Sequence, residues 1–389
     1  MHKLTLGLII LTAGLFVVAV CFIVLWAVGN NKSTTRDTKN IPLPTKAFIG
    51  DVKNGPREAL LRVFRQSSDY KARRRLRELI QRGRDNGVVI WAFPDHTSLF
   101  GRILNNTIPK LLRDAGCSVS FLRTPIASPS YIDPKVVFVS MTNCVKAVWP
   151  DFAWPPHTIG LGSEHGIDEF SQLSNTGLFI HMSPGLATHA RGVMTTKELA
   201  EAAPFMAAPF LWWAKTEPSA ADPHLHKPTK VLGHDVVLWG GVNDRRDAFL
   251  KALEEQGVHV HQVSGGFAPV KDIVHSSRVL LNLHSYPMDS NTRNLRCALE
   301  THRLTDPLVS GVPVITESGV DVELESWLQL HGYIVGTFPH EDVFAAAAQI
   351  KRFLSTKNAT SAATQEAHTS AANYLLRGDV LSLSELSKE

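Results

Sequence analysis

The second half of the chain alternates short strand-like runs with helix-like segments, and this alternation restricts the fold more than any other feature. The helix-like segment Ala248–Gln256 ends at Gly257, a residue type that commonly terminates helices. Consecutive strands that are separated by helices pair in parallel, because each connection crosses over the sheet. Residues 231–355 therefore predict a doubly wound α/β domain. The predicted strands are Val236–Trp239, His259–Val263, Val279–Leu283 and Val312–Thr316.

Residues 86–215 show the same alternation less regularly. Residues 141–215 are rich in Trp, Pro, His and Gly and have little periodicity. Residues 216–230 contain three prolines and no apolar run, which indicates a linker. The pattern therefore predicts two α/β lobes, 86–215 and 231–355, followed by an Ala-, Ser- and Thr-rich tail at 356–389. The strands predicted in the first lobe are Val88–Phe93, Val119–Leu122, Val136–Ser140 and Leu178–His181.

An apolar run without any charged residue extends from Leu4 to Val28. As a helix it would be about 37 Å long, enough to cross a hydrocarbon core of about 30 Å. The run is also longer than the apolar core of a cleaved signal peptide, which has roughly 7–15 residues. We therefore predict a transmembrane anchor at residues 4–28, with a cleaved signal peptide as the alternative. Residues 29–85 predict a polar stem and a basic helix, whose arginines either form a solvated face or contact acidic lipid or phosphate.

The overall composition excludes several classes of function. A formal net charge of +4 over 389 residues gives no indication of nucleic-acid binding. Four cysteines are too few for a disulfide framework, and the sequence has no CxxC pair or Cys/His cluster that would indicate zinc. A hydrophobic fraction of 44% with a charged fraction of 20% is typical of a globular protein.

Polar residues collect where the predicted strands of the second lobe end. In an open parallel sheet, ligands bind beyond the carboxyl ends of the strands. Glycines let a ligand approach the backbone, a helix N-terminus offers free N–H groups, and arginines suit a diphosphate. We therefore predict a binding site for a phosphorylated ligand at this edge. Its residues are Gly240, Gly241, Arg245 and Arg246 at the first strand, Asn282 and His284 at the third, and Glu317 at the fourth.

A charged stripe precedes the fourth strand. Arg296, Glu300 and Arg303 lie within about 60° of one another on a helical wheel, with apolar residues on both sides of the stripe. A plain amphipathic helix would carry its charges opposite the apolar face. A stripe that points into a cleft accounts for the pattern, since Glu300 could accept hydrogen bonds from hydroxyl groups and the arginines could bind phosphate. The alternative is a surface Glu–Arg pair. Pro307 is expected to begin a fresh helical turn.

The run from Val279 to Glu317 resembles the nucleotide-binding domain of GT-B-fold glycosyltransferases of the bacterial type. The shared pattern is LN-x-H, then E-x-x-R, a glycine, and a strand that ends in Thr-Glu. The resemblance implies two Rossmann-like lobes, a nucleotide-diphosphate sugar as donor, and no obligatory metal or other cofactor. The E-x7-E pair of retaining members is absent, so the stereochemistry stays open. The matching positions are Asn282, His284, Glu300, Arg303, Gly311, Thr316 and Glu317.

An inverting glycosyltransferase needs a group that deprotonates the acceptor. In the architecture that the resemblance implies, this group belongs to the first lobe. Asp95 and His96 directly follow the predicted strand Val88–Phe93 and are the first candidates for the catalytic residues. His181 and His189, which follow a later strand, are the alternatives.

Together these features predict a membrane-anchored glycosyltransferase that moves a sugar from a nucleotide sugar to a glycan, lipid or protein acceptor. The resemblance implies a single-pass type II membrane glycoprotein in the lumen of the Golgi or ER, and sequons occur at Asn31, Asn105 and Asn358. Lysines and an arginine that follow the apolar run favour the alternative, the cytoplasmic face of a membrane. A non-catalytic glycosyltransferase-like binding protein and an unrelated α/β enzyme, such as a nucleotide-sugar epimerase, are the other readings.

Overall fold

The protein is described by a computed structural model over residues 55–92, 99–122, 132–148, 151–162, 170–173, 175–208, 233–241, 243–265, 270, 272–274, 276–285, 298–299, 301, 303–304, 307, 312–330, 332, 334–355 and 383–388. These residues all fall within one compact unit, Asp51–Glu389. The predicted anchor and the linker lie outside them. Within these ranges no helix combines the length and the apolar character that crossing a membrane requires.

The first part of the chain forms a six-stranded sheet in which all the strands are parallel, in the order β2-β1-β3-β4-β5-β6. Its strands are β1 (Val88–Trp91), β2 (Val119–Leu122), β3 (Val137–Met141), β4 (Thr158–Gly162), β5 (Leu178–His181) and β6 (Phe205–Ala207). Its helices are α1 (Gly55–Gln66), α2 (Tyr70–Asn86), α3 (Leu99–Arg102), α4 (Ile108–Asp114), α5 (Thr142–Val148), α6 (Pro184–Val193) and α7 (Thr196–Glu201), and a π-helical turn, Ile103–Thr107, joins α3 to α4.

The second part forms a five-stranded parallel sheet in the order β11-β10-β9-β7-β8. Its strands are β7 (His234–Trp239), β8 (His261–Val263), β9 (Ser277–Asn282), β10 (Val314–Glu317) and β11 (Ile334–Phe338). Its helices are α8 (Asp244–Glu255), α9 (Val322–Leu330) and α10 (Val343–Ser355). The short helix α11 (Leu383–Leu386) ends the described chain. The predicted α/β class with two parallel sheets is confirmed, and each sheet lies within one of the two predicted lobes.

Both sheets have a topological switch point, where consecutive connections leave in opposite directions. In the six-stranded sheet this point lies between β1 and β3, and in the five-stranded sheet it lies between β7 and β9. In doubly wound sheets the crevice at the carboxyl ends of these two strands is where ligands bind. The residues that follow β7 and β9 are therefore candidates for a binding site.

The core of the five-stranded sheet explains why its strands are recognisable in the sequence. Alternate residues of β7, Val236 and Leu238, pack against Phe249 and Leu253 of α8. Both helices that cover this face, α8 and α10, contribute fully buried side chains, such as Leu253 and Ile350. Burying a side chain of this size contributes about 1.5–3 kcal/mol, so the apolar pattern fixes which face of each strand points inward.

Several element boundaries differ from the prediction for local reasons. Helix α8 begins at Asp244 rather than Ala248, because the Asn243 side chain accepts a 2.9 Å hydrogen bond from the Arg246 N–H and caps the helix. Strand β8 begins at His261, since only the last three residues of its polar run pair with β7. Strands β4, β6 and β11 were not predicted. Two of the five residues of β4 are glycines, β6 is three residues long and a glycine interrupts β11.

The basic segment near residue 70 packs into this body. Helices α1 and α2 separate at Ser67–Asp69, and Asp69 caps α2 by accepting the Ala72 N–H at 2.7 Å. In α1, Leu60 and Phe64 are fully buried, and α11 packs against both helices. The residues placed with the stem and the tail are therefore, where described, part of the packed structure.

The arginines of α2 bind main-chain carbonyl groups of the six-stranded sheet. Arg84 donates from Nε to the Ala115 carbonyl at 2.7 Å, and Arg82 donates to the Lys135 carbonyl at 3.3 Å. Arg75 donates to the carbonyl of Thr176. These carbonyls precede β2, β3 and β5, at the edge opposite the carboxyl ends of the strands. Three arginines of the predicted basic helix therefore fasten α2 to the loops that enter the sheet.

Candidate functional site

Arg246 joins the two loops that flank the switch point of the five-stranded sheet. It lies in the first turn of α8 and is only 1% exposed. Its Nη1 donates to the Gly241 carbonyl at 3.0 Å, after β7, and its Nη2 donates to the Leu283 carbonyl at 2.7 Å, after β9. A guanidinium can satisfy two carbonyls at once because its donors form a rigid fork. Arg246 therefore ties the loop that follows β7 to the loop that follows β9.

Arg245 connects the ends of three strands at the same edge. Its Nη1 donates to the His284 carbonyl at 2.6 Å, after β9, and its Nη2 forms a short ion pair with Glu317 at the end of β10. Its Nε lies 3.5 Å from a carboxylate oxygen of Glu341, and its Nη2 lies 3.4 Å from Nε2 of His340, both after β11. The predicted donor-binding residue Arg245 is thus occupied by protein groups.

Glu317 is a buried carboxylate with hydrogen-bond donors on several sides. It is fully inaccessible to solvent. Its Oε2 accepts the His284 N–H at 2.9 Å, and its Oε1 accepts the Glu341 N–H at 2.8 Å in addition to the Arg245 contact. A buried carboxylate needs such donors, because an unpaired buried charge is strongly destabilising. The geometry favours a role in holding the strand ends together over direct contact with a ligand.

His284, Glu317 and His340 are the group within the described chain that could ligate a metal, since one ligand atom from each lies within 4.8 Å of the others. Two imidazoles and a carboxylate suit a divalent transition metal. Arg245, however, contacts the same carboxylate and lies beside the His340 ring. A metal ion there would meet a fixed positive charge at close range. The cluster already contains the cation that Glu317 requires.

Burial and the neighbouring charges of this cluster shift the pKa of His340. Burial lowers the pKa of His340 below its ordinary value, Glu317 opposes that shift, and Arg245 adds to it.

The backbone of the next residue, Glu341, has a φ of 61°, in the left-handed region that glycine prefers. The hydrogen bond from its N–H to Glu317 holds this conformation in place.

Gly240 brings two guanidinium groups to the end of β7. A Cβ atom at Gly240 would lie 2.9 Å from Nη1 of Arg246 and 2.9 Å from Nη1 of Arg303, which is closer than such atoms approach. Arg303 is half-buried, and its Nη2 donates to the Ser285 hydroxyl at 3.3 Å. Gly241 is exposed, and a Cβ there would meet nothing within 4 Å. The structure thus brings together Gly240, Gly241 and Arg303 at the switch point.

The N-terminus of α8 is a weaker anion site than the sequence suggests. Asn243 already occupies the Arg246 N–H, and Asp244 and Asp247 place two carboxylates in the first turn. Negative side chains at the N-terminus of a helix interact favourably with the helix dipole, but they repel a phosphate that binds there. Arg303, whose Nη1 lies beside Gly240, is therefore a better candidate for an anion contact than the helix terminus.

Asn282 is the last residue of β9, and its side chain is buried against β10. It is 3% exposed, and its Nδ2 donates to the Thr316 hydroxyl on the neighbouring strand at 2.9 Å. Thr316 is fully buried as well. The pair therefore joins β9 to β10 at the carboxyl end of β9.

Five of the predicted site residues lie outside the described parts of the chain. These are the catalytic candidates Asp95 and His96, and the donor-binding candidates Arg296, Glu300 and Gly311. Of the alternatives for the base, His181 is fully buried at the end of β5, and its Nδ1 accepts the Ser183 N–H at 2.9 Å. That bond leaves its proton on Nε2. His189 lies half-buried on α6.

Sequence reasoning missed three residues at this edge. His340 and Glu341 were missed because β11 was not recognised, and the apolar run at Ile334–Phe338 ahead of a polar His-Glu-Asp triplet was the available signal. Ser285 was missed because it lies in a polar stretch without periodicity. Its carbonyl accepts a 3.0 Å hydrogen bond from Nδ2 of Asn243, and its hydroxyl meets Arg303.

The comparisons with known proteins add no family to this geometry. No protein-family model matches the chain, and no curated protein matches it significantly. The resemblance to GT-B glycosyltransferases therefore rests on the residues that carry it.

Proposed function

We propose that the chain is a glycosyltransferase that binds a nucleotide-diphosphate sugar at the switch point of its five-stranded sheet and passes the sugar to a glycan, lipid or protein acceptor. The observation that carries the proposal is the position of Arg303, whose guanidinium lies against Gly240 at the end of β7. This is the crevice in which doubly wound sheets bind nucleotides.

The chemistry of the crevice fits a diphosphate. The guanidinium of Arg303 is half-buried, so its charge is screened less than a surface charge would be. A guanidinium also matches phosphate oxygens with two parallel N–H bonds. Gly241 leaves room at the backbone, because no atom lies within 4 Å of the position where its Cβ would be. The leaving diphosphate would be stabilised by Arg303.

The neighbouring residues have supporting roles in this proposal. Arg246 and Arg245 hold the loops after β7 and β9 in place, and Glu317 neutralises Arg245. Arg296, Glu300 and Gly311 remain predicted donor contacts from the segment that carries Arg303. The proposed general base remains Asp95 or His96. Both residues follow β1 in the sequence, and β1 is one of the two strands at the switch point of the six-stranded sheet.

Binding experiments with purified protein test the proposal directly. Isothermal titration with uridine, guanosine, adenosine and cytidine diphosphates should show one preferred nucleotide. Arg303→Ala should weaken that binding by about 1.5–3 kcal/mol, or roughly 10- to 150-fold in Kd, since it removes a charged hydrogen-bond donor. Arg352→Ala, an exposed arginine of α10, is the matched control and should leave Kd unchanged.

Unchanged affinity in a folded Arg303→Ala variant would remove Arg303 from the site, and a protein that binds none of the four diphosphates would overturn the proposal. Turnover is a separate measurement. A preparation that binds a diphosphate but neither hydrolyses nor transfers the sugar of the matching nucleotide sugar would favour the alternative, a glycosyltransferase-like binding protein.

We also propose that the protein is membrane-anchored through residues 4–28 with its sheets in the lumen of the Golgi or ER. Among the sequons, Asn105 is a poor reporter because it is half-buried in the π-helical turn Ile103–Thr107. Expression in a eukaryotic host with Asn358→Gln as control tests the topology. A glycosidase-sensitive mass shift that Asn358→Gln reduces supports the lumen, and its absence supports the cytoplasmic face.

A further inference from the structure

Asp321 is a buried carboxylate that the site described above does not use. It lies between β10 and α9 and is 2% exposed. Its Oδ2 accepts the Ser183 hydroxyl at 2.7 Å and the Leu299 N–H at 2.7 Å, and its Oδ1 accepts the Gly185 N–H at 2.7 Å. Three donors converge on one carboxylate, which is the arrangement that compensates for burying its charge.

The three donors belong to distant parts of the chain. Ser183 and Gly185 form the beginning of α6, which follows β5 of the six-stranded sheet. Ser183 also caps α6 by accepting the Leu186 N–H at 2.9 Å, so its own hydroxyl proton points to Asp321. Leu299 belongs to the segment that leads to Arg303. One carboxylate from the five-stranded sheet thus connects α6 with the segment that bears the proposed diphosphate-binding arginine.

The surfaces around this carboxylate are in tight contact. A Cβ atom at Gly185 would lie 2.2 Å from the carbonyl oxygen of Val320, so only glycine fits there. Close by, the Thr301 hydroxyl contacts the sulfur of Met182 at 3.6 Å. Leu299 and Thr301 are almost completely buried. The contact is therefore specific in position, since neither a shift of α6 nor a shift of the Leu299 segment leaves all three hydrogen bonds intact.

The donors also define the protonation state that the contact needs. A carboxylate accepts from all three donors, whereas a protonated carboxyl would place an O–H group among them. Burial raises the pKa of Asp321, and the hydrogen bonds from Leu299, Ser183 and Gly185, together with His181, oppose that shift.

We propose that Asp321 is a positioning residue: it fixes the Leu299 segment so that Arg303 lies against Gly240, and it locks that segment to α6 of the six-stranded sheet. The consequence for donor binding rests on the proposed function, whereas the lock itself does not. Among the described residues the hydrogen-bond partners of Asp321 are Ser183, Gly185 and Leu299, so its proposed effect on the switch point runs through the segment that carries Arg303.

Hydrogen exchange tests the lock without any nucleotide. In Asp321→Asn, one N–H of the new amide must face a backbone N–H, so peptides that contain Gly185 and Leu299 should exchange about tenfold faster or more. Asp342→Ala is the matched control, because Asp342 caps α10 in the same sheet through the Ala345 N–H and does not contact Leu299. Unchanged exchange in both peptides of a folded Asp321→Asn variant would overturn the proposal.

A second pair of variants covers the case in which Asp321→Asn does not fold. Ser183→Ala removes one donor and leaves the carboxylate in place, and it should speed exchange in the same two peptides. Ser183→Thr keeps a hydroxyl and should restore protection. Equal exchange in Ser183→Ala and in the unaltered protein would also contradict the lock.

The nucleotide arm tests the positioning of Arg303. With the preferred nucleoside diphosphate as probe, Asp321→Asn should raise Kd about tenfold in the otherwise unaltered protein and produce no further change in the Arg303→Ala background. Independent, additive effects would contradict positioning through Arg303. If the unaltered protein binds no diphosphate, the proposed function fails, and the exchange measurements still decide whether Asp321 locks the segment.

Discussion

The two sheets use arginines at opposite edges. Helix α2 sends arginines to carbonyls that precede β2, β3 and β5, at the amino ends of the strands of the six-stranded sheet. Helix α8 sends Arg245 and Arg246 to carbonyls that follow β7 and β9, at the carboxyl ends of the strands of the five-stranded sheet. In both places the guanidinium groups bind the protein's own backbone.

Arg84 differs in burial from Arg245 and Arg246, whereas Arg75 of α2 resembles Arg245, since its side chain is 17% exposed and pairs with Glu78 at 3.1 Å. Arg84 of α2 is exposed and donates to the Ala115 carbonyl and to the side-chain amide oxygen of Gln81. Arg246 is 1% exposed, and the side chain of Arg245 is 13% exposed against a fully buried Glu317. A cluster of arginines in a sequence is therefore weak evidence for an anion site. The stronger signal is a further arginine, Arg303, that a glycine admits to the strand ends.

The largest effect is expected from Glu317→Gln. This change leaves the mostly buried Arg245 without its nearest carboxylate, and breaking such a pair costs about 3–5 kcal/mol of folding stability. Urea denaturation measures the loss. Glu341→Gln removes the other carboxylate beside Arg245. The Glu341 side chain is 55% exposed, so this change should cost less than about 1 kcal/mol of folding stability. Equal losses in the two variants would contradict the importance of burial.

Arg246→Ala should be the next largest loss, about 2–4 kcal/mol, because it leaves the carbonyls of Gly241 and Leu283 without this donor. Arg246→Met retains most of the aliphatic volume and isolates the hydrogen bonds. Both variants should show similar losses in urea denaturation. A full recovery of stability in Arg246→Met would mean that Arg246 acts by packing rather than by joining the two loops.

A buried acid, Glu325, lies on α9, the helix that follows β10 of the five-stranded sheet. Burial raises the pKa of Glu325 from 4.5 to about 7, the Gly319 N–H opposes that shift, and Asp321 adds to it. The folded state thus retains a proton that the unfolded state releases near pH 4.5. The stability from this group is complete below pH 4.5 and is lost as the pH rises through 7, by roughly 3 kcal/mol.

Glu325→Gln should therefore stabilise the protein at pH 8 by about 1–3 kcal/mol, and the gain should vanish near pH 4.5. The amide oxygen of glutamine can still accept the Gly319 N–H, which is now 2.9 Å from Oε1. Glu323→Gln, an exposed change on the same helix, should give no gain at either pH. Denaturation at the two pH values measures both, and a gain that is independent of pH would contradict a buried, protonated Glu325.

Sequence patterns predicted the features that depend on residues close together in the sequence, which are mainly the strands. Apolar runs predicted β1, β2, β3, β5, β7, β9 and β10, because a strand that packs against a core needs apolar residues wherever it lies. They missed β4 (Thr158–Gly162), whose glycines contribute no apolar side chain. The roles of the polar residues depend on distant partners. Arg245 was predicted to bind a ligand, and whether it instead pairs with Glu317 is decided by a strand 72 residues later. Asp321 was not singled out, since its partner Ser183 lies 138 residues earlier.

The smallest effect is expected from Arg84→Ala on α2. Arg84 donates to the Ala115 carbonyl at the end of α4, but its side chain is exposed, so water can replace it at that carbonyl. We expect a loss below about 1 kcal/mol in urea denaturation. Arg84 also opposes the raised pKa of the buried Cys117 thiol, so its removal should raise that pKa further, which the pH dependence of thiol alkylation measures. A loss of stability as large as that of Arg246→Ala would mean that burial does not separate Arg84 from Arg246.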